Sequence, residues 1–522
     1  MKKYVVGILI IVTILSLFLV SCKTTTTTTQ PATTAATTKP ATTSAQPKSG
    51  GTLKIGDAQG PVSVGWPADR TFQNGAGCYP SVFFDTLIKA DDKGNYLPNL
   101  ATQWEVAPDK TSITLTLRKS VKFHDGSDWN AAVAKWNIDQ LIAAKSSLYL
   151  TVTSIDIVDD YKIRLNMSTY ANTMFTNLAQ TCVVSKDAFD KNGKDWMMTH
   201  AVGTGPFKFD SFTPDVSLRG VRFDNYWGGK PLLDAIELYV IKDASTRAAS
   251  FEKKEMDVAN QDLSKTEYDL TQKGFQAIKR MIAMYCLIPD SKNADSPFSK
   301  QKVREAVSYA IDRESICKSI GYGFWTPIYQ YCLPGFSAYI TDLPARPYDP
   351  DKAKQLLSEA GYPNGFKSTF IVDNFVSDRD ACAAIQGYLG KVGITLEQQL
   401  VDMATSATVA TGGWRNGLFG AARALSPNIN VALQQWTKDT AWWTSLDKTP
   451  EYYQLYMDSL TAKEYDPALA KKAVRNVFDN TTMIPVYTMV RGAIVQPYVH
   501  DTGFYSESNF WYWTPAKAWV SK

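Results

Sequence analysis

Three histidines, His124, His200 and His500, are the only imidazole side chains in this sequence, and they lie far apart. No HExxH segment is present, so the pattern does not predict a zinc hydrolase or a metal site built from histidines. GxSxG and GxxxxGK(S/T) segments, which indicate serine and nucleotide hydrolysis, are also absent. The chemistry-bearing residues therefore favour binding over catalysis, and neither a cofactor nor a metal is expected.

Cysteine spacing and net charge further limit the classes of protein to which this chain could belong. Seven cysteines are spread over the chain without a CxxC pair. An even number in the folded part of an exported chain permits disulfides, and buried free thiols are the alternative. The formal charge of +4 comes from the five lysines of residues 1–50, because the remaining 50 basic and 51 acidic side chains give −1. This balance does not predict a nucleic-acid-binding protein.

The first fifty residues have the layout of an export signal followed by a tether. Met1-Lys2-Lys3 precede an apolar run that ends at Val20, as in a secretory signal, here residues 1–21. Leu19-Val20-Ser21-Cys22 resembles the bacterial lipobox, which implies cleavage before Cys22 and lipidation of its sulfur; an uncleaved anchor is the alternative. Residues 22–50, rich in Thr, Ala and Pro, predict an unfolded tether with a reach of about 30 Å.

Alternation of apolar and polar residues predicts strands early in the folded part. Residues 51–56 (GTLKIG) alternate directly after the tether, and residues 113–117 (ITLTL) alternate more strongly. Turn residues on both sides of Trp104 mark another strand. A helix is expected from about Ala131 to Ala143.

Capping residues predict helices in the second half. Asp349 can cap a helix that has Pro350 at its first position and Gly361 just beyond its last turn. Ser299 is expected to cap a further helix around Val303. Because strands alternate with these helices, the sequence predicts a mixed α/β protein with several lobes.

Four segments carry a family resemblance when they are taken together. They are residues 82–139 (VFFDTLIKADDKGNYLPNLATQWEVAPDK and onward), 203–212 (GTGPFKFDSF) with 225–259, 298–316 (FSKQKVREAVSYAIDRESI) and 348–366 (YDPDKAKQLLSEAGYPNGF). In this order they resemble the large bacterial extracytoplasmic solute-binding proteins of family 5, which bind oligopeptides, dipeptides, nickel chelates and sugars for ABC importers. The resemblance spans residues 51–522.

The resemblance implies a fold and a role. The fold is periplasmic-binding-protein-like, of type II, with two α/β lobes that close about a hinge and an extra third domain. The expected segments are lobe I (51–70, 201–285 and 491–522), the extra domain (71–200) and lobe II (286–490). The implied role is that of a non-enzymatic, monomeric, lipid-anchored receptor that delivers a solute to an ABC importer permease. It would work outside the cytoplasm, in the periplasm or at the outer face of the cell membrane.

Two motifs that suggest chemistry have structural interpretations in this family. His124-Asp125-Gly126 is implied to form a turn before a helix. Gly203-Thr204-Gly205-Pro206 is not a nucleotide-binding loop, and its glycines are expected to permit unusual φ values.

One segment of this sequence departs from the family motif, and the departure bears on the class of ligand. Many peptide-binding members carry Trp-x-Ala-Asp-Tyr-x-Asp-Pro, whose first aspartate pairs with the amino end of the peptide. In residues 417–430 (GLFGAARALSPNIN), matching the proline to Pro427 puts Arg423 on that aspartate. Arginine cannot accept from an ammonium group and suits carboxylate or phosphate. A carboxylated or acceptor-rich ligand is expected if Arg423 faces the cleft; the alternative is an Arg423 that points to solvent or pairs with a structural acid.

Further ligand contacts are expected from one polar residue and several tryptophans. Gln59 and Trp66 follow the first strand, Trp414 and Trp436 flank the arginine segment, and Trp513 lies near the carboxyl terminus. Aromatic walls suit apolar or ring-bearing ligands. Most of the 14 Trp and 26 Tyr must nevertheless lie in the core, so each position is a separate expectation.

Other functions remain open at this point. An oligopeptide or dipeptide receptor, or a metal-chelate receptor, would use the same fold. A surface hydrolase or glycosidase would need two facing carboxylates, and no pair can be nominated. A receptor that signals to a membrane sensor would also use a closing cleft.

Overall fold

The computed structural model describes residues 46–69, 79–374, 377–506 and 513–522, without the side chains of Gln261 and Asp262. The export signal, Cys22 and most of the tether lie outside these residues. The strands are β1 (Thr52–Asp57), β2 (Ile88–Ala90), β3 (Tyr96–Pro98), β4 (Ala101–Val106), β5 (Ser112–Leu117), β6 (Val152–Asp159), β7 (Lys162–Met167), β8 (Phe207–Thr213), β9 (Ser217–Arg222), β10 (Ala235–Val240), β11 (Val258–Asp262), β12 (Gln276–Pro289), β13 (Phe366–Asp373), β14 (Ile394–Val401), β15 (Gly417–Ala424), β16 (Ile484–Val495), β17 (Val499–His500) and β18 (Trp519–Val520). The helices are α1 (Pro80–Phe83), α2 (Ala131–Ala143), α3 (Met174–Leu178), α4 (Lys186–Met197), α5 (Ala244–Glu252), α6 (Lys265–Gln272), α7 (Gln301–Ala310), α8 (Arg313–Ser319), α9 (Pro350–Glu359), α10 (Arg379–Gly390), α11 (Met403–Gly412), α12 (Asn430–Leu433), α13 (Pro450–Leu460) and α14 (Pro467–Asp479).

A ten-stranded mixed sheet joins the two lobes, in the order β14-β13-β15-β12-β16-β11-β1-β10-β9-β8. The long strands β12 and β16 pair antiparallel over nearly their whole length. On one side β15 pairs with residues 283–289 of β12, and on the other β11 pairs with residues 491–495 of β16. The register of β12 and β16 shifts between Met281 and Ala283. These two strands therefore connect the lobes. The irregular register lies between the part that pairs with β11 in lobe I and the part that pairs with β15 in lobe II.

Each part of the fold buries its own apolar residues. Lobe I, around β1 and β8–β11, has a core that includes Ile55 and Phe83. The third domain, from β2 to α4, packs Trp129 and Leu165 over the four-stranded antiparallel sheet β4-β5-β7-β6. Lobe II, formed by α7–α14 and β13–β15, has an apolar cluster on each face of its strands. Burial of both faces is typical of parallel sheets covered by helices. The residue boundaries between these parts stay predictions.

Local sequence signals predicted several elements correctly. β1 and β5 lie where the alternation is strongest, and α2 spans Ala131–Ala143. The side chain of Asp349 accepts the backbone N–H of Lys352 (2.8 Å) at the start of α9, and Gly361 follows the helix with a φ of 90°. The prediction that Ser299 caps a helix is wrong. Ser299 ends a short 3₁₀ turn, and its hydroxyl donates to the carbonyl of Ser296 (2.7 Å).

Gly203 and Gly205 are required for a reason other than the one expected. Neither glycine has a positive φ, so the expectation of unusual φ values is wrong. A Cβ atom on Gly203 would lie 2.1 Å from the carbonyl oxygen of Phe83, and one on Gly205 would lie 2.4 Å from the carbonyl carbon of the same residue. These glycines therefore allow the backbone that leaves the third domain to pack against α1.

The described cysteines and helices bear on redox state and membrane insertion. Cys286, Cys317, Cys332 and Cys382 are buried free thiols, and Cys182 is buried. Cys22 and Cys78 lie outside the described residues. Within the described ranges, no helix has the length and apolarity that a bilayer span requires.

Candidate functional site

The carboxyl ends of strands from the two lobes face each other along β12 and β16. In lobe I, β11 ends at Asp262, which pairs with Arg491. In lobe II, β15 ends at Ala424, which pairs with Ala283. Ligands of open α/β sheets bind outside the carboxyl ends of the strands. By this rule, the interlobe crevice is expected over residues 280–283 and 489–491.

Arg423 lies in β15, one residue before its carboxyl end, at the lobe II side of the crevice. Its Nη1 donates to the side-chain oxygen of Gln435 (2.9 Å), and its guanidinium carbon lies 4.5 Å from the ring centre of Trp443. Its Nε–H is buried and has no acceptor among the described residues. Desolvation lowers the pKa of Arg423, and Asp373 opposes this effect only at longer range. No carboxylate of the described chain forms an ion pair with it.

These surroundings decide what the Arg423 guanidinium can do. It is a mostly desolvated cation whose direct partners, an amide and an aromatic face, are both neutral. A carboxylate can accept from Nε and Nη of one guanidinium together, and such charge-assisted pairs are about twice as strong as neutral hydrogen bonds. The side chain is therefore suited to an acid group, and it neither lies on the open surface nor pairs with a structural acid.

Two of the expected tryptophans support this arrangement from inside lobe II. Trp414 meets Trp443 edge-on with ring centres 6.3 Å apart, and Trp436 stacks near Trp443 at 6.1 Å. Trp436 is 1% exposed and Trp414 is 6% exposed. The structure thus brings both residues close to Arg423, where they hold Trp443 against the guanidinium.

A hydrogen-bonded chain of buried polar residues lies in lobe I near the carboxyl ends of β1 and β11, on the lobe I side of the expected crevice. Asp57, at the carboxyl end of β1, accepts the side-chain N–H of Asn260 (2.5 Å) and the backbone N–H of Gln59 (3.1 Å). The hydroxyl of Tyr505 donates to the side-chain oxygen of Asn260 (2.5 Å). Burial raises the pKa of Asp57, and the charge of Arg491 opposes that shift. Gln59 therefore contributes its backbone to this network.

Trp66 and Trp513 lie in the core of lobe I, in a different apolar cluster from the tryptophans near Arg423. Trp66 is 5% exposed and stacks on Phe189 with ring centres 4.8 Å apart. Trp513 is 1% exposed and stacks on Phe504 at 4.5 Å. Their direct contact with a ligand stays a prediction.

The third domain reaches lobe II at two places. The turn between β2 and β3, residues 91–95, is called the hairpin tip. A Cβ atom on Gly94 in this tip would lie 2.5 Å from the Cβ of Pro427, four residues beyond Arg423. Farther along, the backbone N–H of Asn172 donates to the carbonyl of Leu460 (2.9 Å). The third domain therefore contacts lobe II as well as lobe I.

The remaining candidates for chemistry have structural roles. The backbone N–H of Gly203 donates to Nδ1 of His124 (3.3 Å), and Nε2 of His124 lies 2.9 Å from the carbonyl oxygen of Gly205. Asp125 accepts the backbone N–H of Ser127 (3.0 Å) in a turn with Gly126 at a φ of 91°, as the resemblance implied. Across the described residues, no group of three or more His, Cys, Asp or Glu side chains could hold a metal ion.

Sequence reasoning did not identify Arg280 or Asn172. Arg280 lies directly opposite Arg491 through the register of β12 with β16, which no local pattern predicts. The sequence signal was the adjacent pair Lys279 and Arg280 within the otherwise mostly apolar run of residues 276–289 (QAIKRMIAMYCLIP). Asn172 owes its position to packing between domains.

Comparison with known proteins confirms the family. The family model for bacterial extracellular solute-binding proteins, family 5 Middle, matches residues 95–443. The glutathione-binding protein GsiB of Salmonella choleraesuis is 30% identical over 378 residues, which cover 68% of this chain and 73% of that protein. The protein of the same name from Escherichia coli is 29% identical over 440 residues, covering 77% and 83%.

Solved structures confirm the predicted fold. The ABC transporter-associated periplasmic binding protein DppA of Helicobacter pylori, in complex with the peptide STSA, has a TM-score of 0.72 at 23% identity and covers 91% of this chain and 99% of its own. NikA of Brucella suis, in complex with Fe(III)-EDTA, has a TM-score of 0.77 at 21% identity and covers 89% of this chain and all of its own. The chain therefore belongs to the bacterial extracellular solute-binding proteins of family 5, the solute receptors of ABC importers.

Proposed function

We propose that this receptor captures a solute bearing a carboxylate or a similar acceptor-rich acid group in the interlobe crevice. One observation carries the proposal: the half-buried Arg423 side chain, whose Nε is fully buried, has an amide and an aromatic ring as partners instead of an acid. A carboxylate would supply the acceptor that Nε lacks among the described residues. Arg423 would therefore set the ligand class.

A peptide held by its amino terminus does not suit this position. An ammonium group offers only donors, and so does a guanidinium, so the two groups repel instead of bonding. The GsiB relatives are named as glutathione-binding proteins, and glutathione is a peptide-like compound that carries two carboxylates. Their names support an acidic, peptide-like solute over an ordinary peptide read at its amino end.

Closure of the lobes would couple binding to transport. The crevice has Arg423 on the lobe II side and the Asp57–Asn260–Tyr505 chain on the lobe I side, so a solute that touches both walls stabilises the closed state. β12 and β16 would act as the hinge, because they join the lobes and their register is irregular between them. The permease would then recognise the closed form.

A metal-chelate receptor is the second candidate. The structurally similar NikA protein was solved with Fe(III)-EDTA, a chelate that binds its metal partly through carboxylates. Arg423 could hold such a chelate through its carboxylates without any protein ligand to the metal. This reading agrees with the lack of a metal-binding cluster among the described residues.

The amino-terminal segment would hold the receptor at the membrane. Lipidation of Cys22 would anchor it, and residues 22–50 would let it turn while it stays near the permease at a raised effective concentration. Replacing Cys22 by serine is expected to move the protein from the membrane fraction to the soluble fraction. Retention of the Cys22→Ser variant in membranes would contradict lipid anchoring at this residue.

The solute itself gives the sharpest test of the ligand class. Native mass spectrometry of the protein, purified without unfolding, is expected to show a retained compound with at least one acid group. Capping that acid group as an ester or amide should weaken rebinding, whereas capping an amino group should matter less. A retained solute without an acid group would overturn the proposal. Chemical conversion of the solute during incubation with the protein would contradict the proposal that this receptor is not an enzyme.

A further inference from the structure

Trp443 holds its backbone in a conformation that bulky residues rarely adopt. Its φ is 59°, in the left-handed region where a Cβ atom crowds the following carbonyl oxygen. The side chain is 1% exposed, so this residue is part of the interior of lobe II. Strained backbone of this kind persists only where the surrounding structure fixes it, and it is concentrated at functional sites.

Hydrogen bonds on both sides of Trp443 fix this conformation. Before it, the carbonyl of Trp442 accepts from Nζ of Lys448 (2.6 Å). After it, the hydroxyl of Ser445 accepts the backbone N–H of Trp414 (2.7 Å) and donates to the carbonyl of the same residue (2.5 Å). The residues before and after Trp443 are therefore both tied to other parts of lobe II.

The indole of Trp443 presents its face to Arg423. The guanidinium carbon lies 4.5 Å from the ring centre. A desolvated guanidinium over a tryptophan face is attracted by the π electrons of the ring. Nε1 of Trp443 is buried and has no acceptor among the described residues, so no hydrogen bond of the indole accounts for its position. Within the described chain, Arg423 is thus the charged group that the indole of Trp443 contacts.

The partners of Arg423 leave one edge of its guanidinium open. Gln435 accepts from Nη1, and the indole of Trp443 lies against the guanidinium. Among the described residues, Nε is buried without an acceptor and Nη2 makes no hydrogen bond. Nε–H and one N–H of Nη2 point in the same direction and can bind both oxygens of one carboxylate. The open edge is therefore one that can hold an acid group by two hydrogen bonds.

We propose that Trp443 is a positioning residue for Arg423: its strained backbone holds the indole face against the guanidinium and so fixes the open Nε–Nη2 edge for the acid group. This inference rests on the proposed function and deepens it, because it names a residue on which the preference for an acid over a neutral solute depends. A guanidinium that is fixed beforehand loses less conformational freedom on binding. Trp443 acts through Arg423 and need not touch the solute.

A pair of matched probes measures this preference. Calorimetric titration would compare N-acetyl-dialanine, which ends in a carboxylate, with its neutral carboxamide. The wild-type protein is expected to bind the acid about 10- to 100-fold more tightly than the carboxamide. Trp443→Leu keeps apolar bulk but has no π face, so it should lower that preference about 3- to 30-fold and leave carboxamide binding unchanged. Trp443→Phe should retain more of the preference than Trp443→Leu.

Trp442→Leu is the matched control, because Trp442 precedes Trp443 in the chain but is 41% exposed. This variant should keep the full preference for the acid. A protein that is merely less stable would bind the acid and the carboxamide more weakly to the same extent, so the ratio of the two dissociation constants separates positioning from folding.

The outcomes distinguish this inference from the proposal on which it rests. If Arg423→Gln loses the acid preference but Trp443→Leu keeps it, Arg423 recognises the acid and the positioning role of Trp443 is wrong. If the wild type binds the acid no more tightly than the carboxamide, both proposals are contradicted.

A measurement on the wild-type protein serves if Trp443→Leu does not fold. In protein labelled isotopically at its arginine nitrogens, the Nε–H resonance that is missing from Arg423→Gln belongs to Arg423. The ring current of Trp443 should move this proton resonance upfield, and N-acetyl-dialanine should move it downfield by supplying an acceptor. A resonance at the position of a solvent-exposed arginine would overturn the inference.

Discussion

The side-chain oxygen of Asn172 accepts a hydrogen bond of 3.3 Å from the side-chain amide of Asn428, across the boundary between the third domain and lobe II. Asn430 donates to the same oxygen (3.2 Å), and the side-chain amide of Asn172 donates to the carbonyl of Ser459 (2.7 Å). Asn172 is 0% exposed. Because the third domain packs on lobe I, opening at β12 and β16 would break these bonds. If the receptor opens there as proposed, this contact favours the closed form before any solute binds.

Replacing Asn172 by alanine is expected to shift the ligand-free receptor toward the open form. The substitution leaves two buried amide donors without their acceptor, at a cost of about 1–3 kcal/mol. Small-angle scattering should show a larger radius of gyration, and apparent solute affinity should fall about 5- to 100-fold.

Asn166→Ala is the matched control for that experiment. Asn166 lies on β7 and bonds to Ser154 and Asp156 within the third domain, so its loss should change neither scattering nor affinity. If Asn172→Ala behaved like this control, the contact would have no role in closure.

Gly205→Ala is expected to destabilise the junction between the third domain and lobe I. The added Cβ would meet backbone atoms of Phe83, which cannot move aside as a flexible side chain can. The free energy of unfolding should fall by about 1–3 kcal/mol in urea titrations. Gly387→Ala is the control, because Gly387 lies inside α10 with open space around it, and there stability should rise by up to about 1 kcal/mol. Equal stability of the Gly205→Ala protein and the wild type would refute the close-approach argument.

His124 predicts a pH dependence of stability. Burial lowers the pKa of His124 from 6.5 to about 4. Between these values the unfolded chain binds a proton that the folded chain does not, so stability falls as the pH falls from 6.5 toward 4. His124 alone would lower the free energy of unfolding by about 3 kcal/mol between pH 6.5 and pH 4. Urea titrations at pH 7 and pH 4.5 should show a smaller loss for His124→Gln than for the wild type. The same loss in both proteins would show that another group is responsible.

Local signals predicted much of the fold because they act over a few residues. Asp349, Pro350 and Gly361 specify both ends of α9 without help from the rest of the chain. Ser299 failed as a cap because the chain forms a 3₁₀ turn that ends at this residue, and α7 begins only at Gln301. Whether the chain at Ser299 forms a 3₁₀ turn or the first turn of α7 depends on the surrounding packing, which the local sequence does not specify.

The site was less predictable because it depends on register and burial. Arg423 was found through its departure from a family motif, and the structure adds its neutral partners Gln435 and Trp443. Trp436 was expected to contact the ligand because it flanks the arginine segment; it is 1% exposed, and its contact with a ligand stays a prediction. Arg280 could be found only after the pairing of β12 with β16 was known.

The role of Arg423 is tested most directly by calorimetric titration of the retained solute into the wild-type, Arg423→Gln and Arg475→Gln proteins. Glutamine keeps a polar side chain beside Gln435 but removes the charge that an acid group would bind. We expect Arg423→Gln to weaken binding about 10- to 100-fold, and Arg475→Gln, which removes an exposed ion pair with Asp342, to leave it unchanged. Equal affinity of the wild-type and Arg423→Gln proteins for the solute would contradict the proposed recognition of an acid group by Arg423.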